Sequence, residues 1–325
     1  MKAALNFGLL RRLGRQYFLF SLLLLIVGVV INASLQANFF KPIALVGLLR
    51  TYLPLVLLAA GQTIVIIGGG IDLSVGSVVS MVNVILVTRM GAEATQSQVL
   101  MAVSLGLLAG ILAGALNGAC IAFLRFQPLV TTFATSSIFA GIAVWILPRP
   151  GGSVPESFMQ PYRSSPLGIT FPLWVILGVA LIWWYLRSTR FGRYLYATGG
   201  DAYSAYMSAV PVEWIRFFSY VASGLMAALS GLLLTMSIGT GSALIGLDMT
   251  MPSIVSVVLG GTALSGGGGG VIGTILGVFI LAIIRNIISF ANVPSWWQTL
   301  VNGLAVMLIL AGPGIWALIR GRRDS

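Results

Sequence analysis

Asp72 stands in the stretch Gly68-Gly69-Gly70-Ile71-Asp72-Leu73-Ser74-Val75-Gly76, within a long run that is otherwise almost wholly apolar. A carboxylate placed inside a membrane costs about 2.5–3.5 kcal/mol on insertion scales, so it persists where water or a partner reaches it. Two uses fit the spacing. The glycines can end one helix in the left-handed conformation, with Asp72 capping the next and Ser74 a second polar group in its first turn. Alternatively the turn lies within the membrane, beside a transport path or a partner subunit, and both uses can hold together. Gln62, Thr63, Asn83 and Asn117 are further isolated polar groups in apolar surroundings, as are Ser136, Ser137 and Asn302. They could line a translocation path and hydrogen-bond a polyhydroxylated solute, or they could bond helix to helix at about 0.6 kcal/mol each.

Much chemistry is excluded. The chain has no histidine and one cysteine, Cys120. That leaves no disulfide framework, no Cys/His metal site and no histidine proton relay. A P-loop needs a lysine in a Gly-rich context; the only lysines are Lys2 and Lys41, and neither has it. No Ser/His/Asp set and no paired carboxylates fall in the apolar segments. The chain is therefore expected to be no enzyme and to bind no cofactor of its own, with energy supplied by a partner.

The elements that must carry these residues follow from composition. Of 325 residues, 58% are hydrophobic and 8% charged, against about 25% charged in soluble domains. This predicts an all-α, polytopic transmembrane bundle forming a single domain over residues 1–325, with the lipid bilayer as its surroundings. The net charge of +11 is explained by arginines at cytoplasmic helix ends rather than by nucleic-acid binding. About ten spans are expected, near 16–33, 43–67, 72–89, 99–123, 129–147, 173–187, 215–237, 250–264, 271–289 and 296–312. The first apolar run reads as a transmembrane helix and not as a cleaved signal peptide. Lys2, Arg11, Arg12, Arg15, Arg125, Arg187, Arg190, Arg193, Arg216, Arg320, Arg322 and Arg323 share one side if the N-terminus is inside. This majority of the 18 basic residues predicts an N-in, C-in topology. The proline-rich stretch 148–172 then lies outside, and the polar segment 187–214 in the cytoplasm.

Within 187–214, Asp201-Ala202-Tyr203-Ser204-Ala205-Tyr206-Met207-Ser208-Ala209 predicts a short amphipathic helix with Asp201 as its N-cap. Its Tyr and Met residues suggest docking to another protein. Small-residue runs such as "GLLAGILAGALNGA", "SGLMAALSG" and "GTILG" predict close helix packing. Gly69–Gly76 and Gly260–Gly267 share the pattern Gly-Gly-x-x-Leu-Ser-x-Gly, a faint internal echo with interrupted helices at matching places.

Taken together these motifs resemble the permease subunits of bacterial ATP-binding-cassette importers for monosaccharides. Gly69, Gly70, Asp72, Leu73, Ser74 and Gly76 match one family signature, and Gly260, Gly261, Ser265 and Gly266 resemble a later glycine-rich one. The segment "TRFGRYLYATGGDAYSAYMSAV" resembles the family's ATPase-contacting segment. The resemblance makes Arg190, Phe191, Gly192, Arg193, Gly200, Asp201, Ala205, Met207 and Ser208 coupling residues. Three positions depart from the family pattern: Asp201 replaces Asn, Ser204 replaces Ala and Ala209 replaces Gly. The resemblance implies a multi-pass protein of the inner membrane that forms the path for a monosaccharide or polyol. It implies a second permease subunit, identical or not, a cytoplasmic ATPase that holds the ATP and Mg, and a periplasmic sugar-binding protein. Related permeases carry autoinducer-2, polyols, nucleosides or amino acids. A self-sufficient secondary transporter is the alternative in a different class.

Overall fold

A computed structural model of the chain describes residues 21–290 together with Trp297, Leu300 and Gly303. Apart from Trp297, Leu300 and Gly303, the expected tenth span at 296–312 lies outside the described residues, as do Asn302, the start of the first span and the basic residues at both chain ends. The described chain is helical: α1 (Ser21–Leu35), α2 (Pro42–Ile67), α3 (Val75–Met90), α4 (Gln96–Ala122), α5 (Pro128–Ile146), α6 (Glu156–Arg163), α7 (Phe171–Ser188), α8 (Arg190–Gly200), α9 (Ala202–Met207), α10 (Val212–Ile238), α11 (Thr250–Leu259) and α12 (Val271–Phe290). Six of them (α2, α4, α5, α7, α10 and α12) are long and apolar enough to cross a membrane.

α3, α11 and the described part of α1 are apolar but shorter. The ten residues of α11 rise about 15 Å, half the hydrocarbon thickness of a bilayer. The segment expected near 250–264 is therefore a half-length helix ending in a glycine loop.

α2 lies at the centre, buried without interruption from Leu53 to Ile67, and α10 packs against α4, α2 and α3. α7 is peripheral, with only Pro172 and Trp183 buried. Lipid is as apolar as leucine, so helices associate here through close packing and hydrogen bonds. The small-residue runs serve that purpose. Gly110 and Gly114 of α4 meet the backbone of α10 at Gly224 and Tyr220, and Gly273 and Gly277 of α12 meet Gly260 and Ser256 of α11.

Pro54 inside α2 has no N–H to offer the Arg50 carbonyl one turn back. The Tyr162 hydroxyl of α6 donates to that carbonyl instead. The proline-rich stretch contains no span, as expected, but it does contain this short amphipathic helix, which the sequence did not predict. Burial pushes the Tyr162 phenol up to about 12.

Candidate functional site

The glycine signature closes α2 with a tight cap. Gly69 N–H donates to the Ile66 carbonyl and Gly70 N–H to the Val65 carbonyl, with Gly69 at φ +83°. This is the paired bonding of a Schellman cap, which needs a residue tolerant of positive φ at its centre. α11 ends identically: Gly261 N–H donates to Val258, Thr262 N–H to Val257, and Gly261 has φ +83°. The two motifs thus correspond as Gly68 to Gly260 and Gly69 to Gly261, one residue out of step with the register of the sequence echo.

Asp72 is not the N-cap of α3; that position is Ser74. Asp72 sits two residues earlier and turns the chain, its Oδ1 accepting from the Ser74 N–H at 2.9 Å and the Ser74 hydroxyl at 2.6 Å. Its Oδ2 accepts from the Ser223 hydroxyl of α10 at 3.0 Å. With its orientation set by what it faces, the Gln62 amide donates to the Asp72 carbonyl and accepts from the Asp72 N–H.

The network extends outward. Asn117 of α4 donates to Ser74 Oγ at 2.8 Å, and Thr135 of α5 donates to Asn117 Oδ1 at 2.7 Å. Leu73 N–H donates to Thr132 Oγ1, also on α5. Asp72 is 1% exposed and has three donors on its carboxylate. One buried side chain therefore joins the turn after α2 to α10 directly and to α4 and α5 through Ser74.

The four polar residues proposed for a path are all enclosed. Gln62, Thr63 and Asn83 are 0% exposed and Asn117 1%. Thr63 pairs with Thr274 of α12 at 2.7 Å, while Asn83 bonds Thr235, the Thr240 carbonyl and the Ser242 N–H. In this structure their hydrogen-bonding groups join helix to helix. Ser80, which the sequence reasoning missed, does the same by accepting from the Gly246 N–H.

The coupling segment folds as two helices where one was expected. α8 begins at Thr189, whose side chain accepts from the Gly192 N–H, and it runs through Gly199 and Gly200 despite their low helix propensity. α9 follows with Asp201 as N-cap, as its type and position predicted: Oδ1 accepts from the Tyr203 N–H at 3.0 Å and the Ser204 N–H at 3.3 Å. The Ser204 hydroxyl donates to Oδ2 at 2.7 Å. These bonds, that of the Ser204 side chain first, hold the Asp201 carboxyl below the usual carboxylate range.

α9 ends in a third Schellman cap, with Ala209 N–H on Tyr206 and Val210 N–H on Ala205. Here the central position is Ala209 at φ +59°, where the resembling family carries glycine. Val210 and Ala205 are both buried in one apolar cluster, completing the cap's usual hydrophobic contact.

α8 is joined to both glycine turns. Gly267 N–H donates to the Ile67 carbonyl at 2.9 Å, bringing the turns after α2 and α11 together. Gly199 lies against both: a Cβ at 199 would overlap the Ile67 carbonyl oxygen and crowd Gly267. The Tyr196 hydroxyl donates to the Gly269 carbonyl at 2.6 Å, and Arg187 lies over the Tyr196 ring. Burial raises the Tyr196 phenol.

On α9, Tyr203, Tyr206 and Met207 are 60–70% exposed. Arg190, Arg193, Gly200, Asp201 and Ser208 are exposed too, whereas Gly192 and Ala205 are buried and Phe191 half-buried. Tyr203 and Tyr206 edge a cleft of about 630 Å³ that runs in beneath Gly68–Gly70, with Arg125, Glu213 and Arg216 on its walls. The exposed aromatic face was legible in the sequence; the contact of Gly199 with two distant turns was not.

Residues 44–311 match the family described as "Branched-chain amino acid transport system / permease component". The chain is 33% identical to the ribose import permease protein RbsC of Bacillus subtilis (strain 168) over 93% of its own length and 92% of that protein's. It is 31% identical to the ribose import permease protein RbsC of Escherichia coli (strain K12), covering 91% and 95%. It is 35% identical to the autoinducer 2 import system permease protein LsrC of Shigella flexneri, covering 80% and 76%. No solved structure matches the chain. The chain is a multi-pass membrane protein and belongs to this permease family.

Proposed function

We propose that the chain is the membrane-spanning subunit of an ATP-driven importer for a monosaccharide or related polyol. Two copies, or this chain and a related one, enclose the path. A cytoplasmic ATPase docks on α9, and a periplasmic sugar-binding protein delivers solute to the far side. The observation that carries the reading is the construction of α8 and α9. α9 offers Tyr203, Tyr206 and Met207 to a partner, and α8 packs through Gly199 directly against the main chain of the turns that end α2 and α11. ATP binding closes the ATPase pair, α9 moves with it, and α8 passes that motion to both glycine turns.

An N-in, C-in bundle of about ten spans agrees with this. Arg125, Arg187, Arg190, Arg193 and Arg216 then lie at the glycine-turn end, as the positive-inside rule requires. The solute class rests on likeness to the ribose and autoinducer 2 permeases.

The test is uptake in cells that lack the chain, using labelled pentoses, hexoses and autoinducer 2. Reintroduced wild type should restore uptake of at least one of them. Met207→Ala combined with Tyr206→Ala should reach the membrane and restore little. Full uptake by that variant would refute docking at α9, and restored uptake of none of the solutes would refute the substrate class. Accumulation in liposomes holding this chain alone would favour a self-sufficient transporter.

A further inference from the structure

A second cleft, of about 470 Å³, opens between the α1–α2 connection, α2 and α12. It lies at the other end of the bundle. Arg285 is fourteen positions along α12 from Val271, or about 21 Å at 1.5 Å per residue, and Tyr52 lies about 22 Å back along α2 from Ile67. Gln36, Thr51, Tyr52, Arg285, Asn286 and Ser289 supply its polar lining.

This lining differs from the Asp72 network in one respect: several of its hydrogen bonds are unmade. Gln36 Oε1, Arg285 Nε and Asn286 Oδ1 are buried atoms with no partner. Asn32, one turn before Gln36 on α1, is 0% exposed and neither of its amide atoms is paired. Buried polar groups are normally satisfied, so a cluster of orphans asks for a bound species.

Charge narrows that species. A guanidinium stays protonated and offers only donors. Among the described residues the one ion pair joins Arg163 to Glu156, so no described carboxylate pairs with Arg285. The Tyr52 hydroxyl lies against Arg285. The cleft thus presents one cation, the unpaired amide oxygens of Gln36 and Asn286, and the hydroxyls of Thr51 and Ser289, with no anionic side chain among the described residues. A neutral polyol would leave the guanidinium without a counter-charge, and a cation would be repelled. A phosphate that carries a hydroxyl, as P–OH in the free ion or on a lipid headgroup, fits both demands: its anionic oxygens pair with the guanidinium and the hydroxyl donates to an amide oxygen.

We propose that this cleft binds a phosphate group, carried by a phospholipid headgroup or present as the free ion. The test uses the full chain, purified and delipidated. One arm measures phosphatidylglycerol retention by native mass spectrometry; the other measures thermal unfolding against inorganic phosphate. Wild type is expected to retain one phosphatidylglycerol per chain, and Arg285→Gln to bind it at least tenfold more weakly. If free phosphate is the ligand, it raises the wild-type melting temperature and leaves that of Arg285→Gln unmoved. Asn286→Ala keeps the charge and is expected to weaken binding severalfold, which keeps the test readable should Arg285→Gln fail to accumulate. The proposal is overturned if wild type binds neither probe, or if both variants bind them as wild type does.

Discussion

The hydroxyl of Ser223 donates to Oδ2 of Asp72 at 3.0 Å, and that bond ties the middle of α10 to the turn between α2 and α3. Removing the acceptor strands Ser223 and the Ser74 N–H in a buried site. Asp72→Ala is therefore expected to destabilise the chain by about 2–4 kcal/mol, and Ser223→Ala by about 1–2 kcal/mol, because a buried group left without its partner costs its full desolvation. Thermal unfolding of the purified variants in detergent checks both values. Equal stability of Asp72→Ala and wild type would remove the network from any structural role.

Gly199 and Gly200 are adjacent glycines with opposite surroundings. A Cβ at 199 overlaps the Ile67 carbonyl oxygen, whereas a Cβ at 200 meets nothing within 4 Å. Gly199→Ala is expected to cost about 1–3 kcal/mol by forcing main chains apart and to reduce transport at least tenfold. Gly200→Ala should fold with wild-type stability or slightly above it. Melting temperatures and uptake rates of the pair are the measurement.

Ala209 holds φ +59° at the centre of the α9 cap, a conformation that costs an L-residue roughly 1–2 kcal/mol and glycine almost nothing. Ala209→Gly is expected to stabilise α9 by about 1 kcal/mol, seen as slower amide exchange at Val210.

The Asp201 carboxyl lies below its ordinary range because the Ser204 side chain and two backbone N–H groups bond its charged form. A lowered acid contributes stability above its unfolded value and loses it as pH falls through the folded one. Amide protection at Tyr203 and Ser204 should therefore hold at neutral pH and fade only in acid below the usual carboxylate range. In Asp201→Asn, which keeps a capping oxygen, the protection should be independent of pH.

Tyr162 titrates the other way. Its phenol is raised to about 12 by burial, so its contribution is complete below the ordinary phenol range and is lost as pH rises through about 12. Tyr162→Phe leaves the Arg50 carbonyl beside Pro54 without a donor. A loss of about 1–3 kcal/mol at pH 7 is expected by thermal unfolding.

What was legible in the sequence had local causes. Asp201 caps α9 because a carboxylate before a helical turn finds N–H groups two and three residues on, wherever the helix later packs. The glycine breaks were equally visible, since only glycine holds positive φ without penalty. Asp72 was recognised as special, but its place two residues ahead of the cap depends on Ser223, 151 residues away. The polar residues Gln62, Thr63, Asn83 and Asn117 share one appearance in the sequence. Whether each meets a solute or another helix depends on partners such as Thr274 and Thr235 that periodicity does not reveal. The helical state of Gly199 and Gly200 runs against local propensity and is imposed by the neighbours of α8.

The joint at Gly199 is built from peptide groups on both sides. It contains no side chain that could drift, so, if an ATPase docks on α9 as proposed, substitutions in the exposed Tyr203, Tyr206 and Met207 surface would retune which ATPase is accepted without loosening the linkage behind it. Recognition and force transmission would then be separate inheritances in this protein. A lineage could exchange its motor while keeping the same lever.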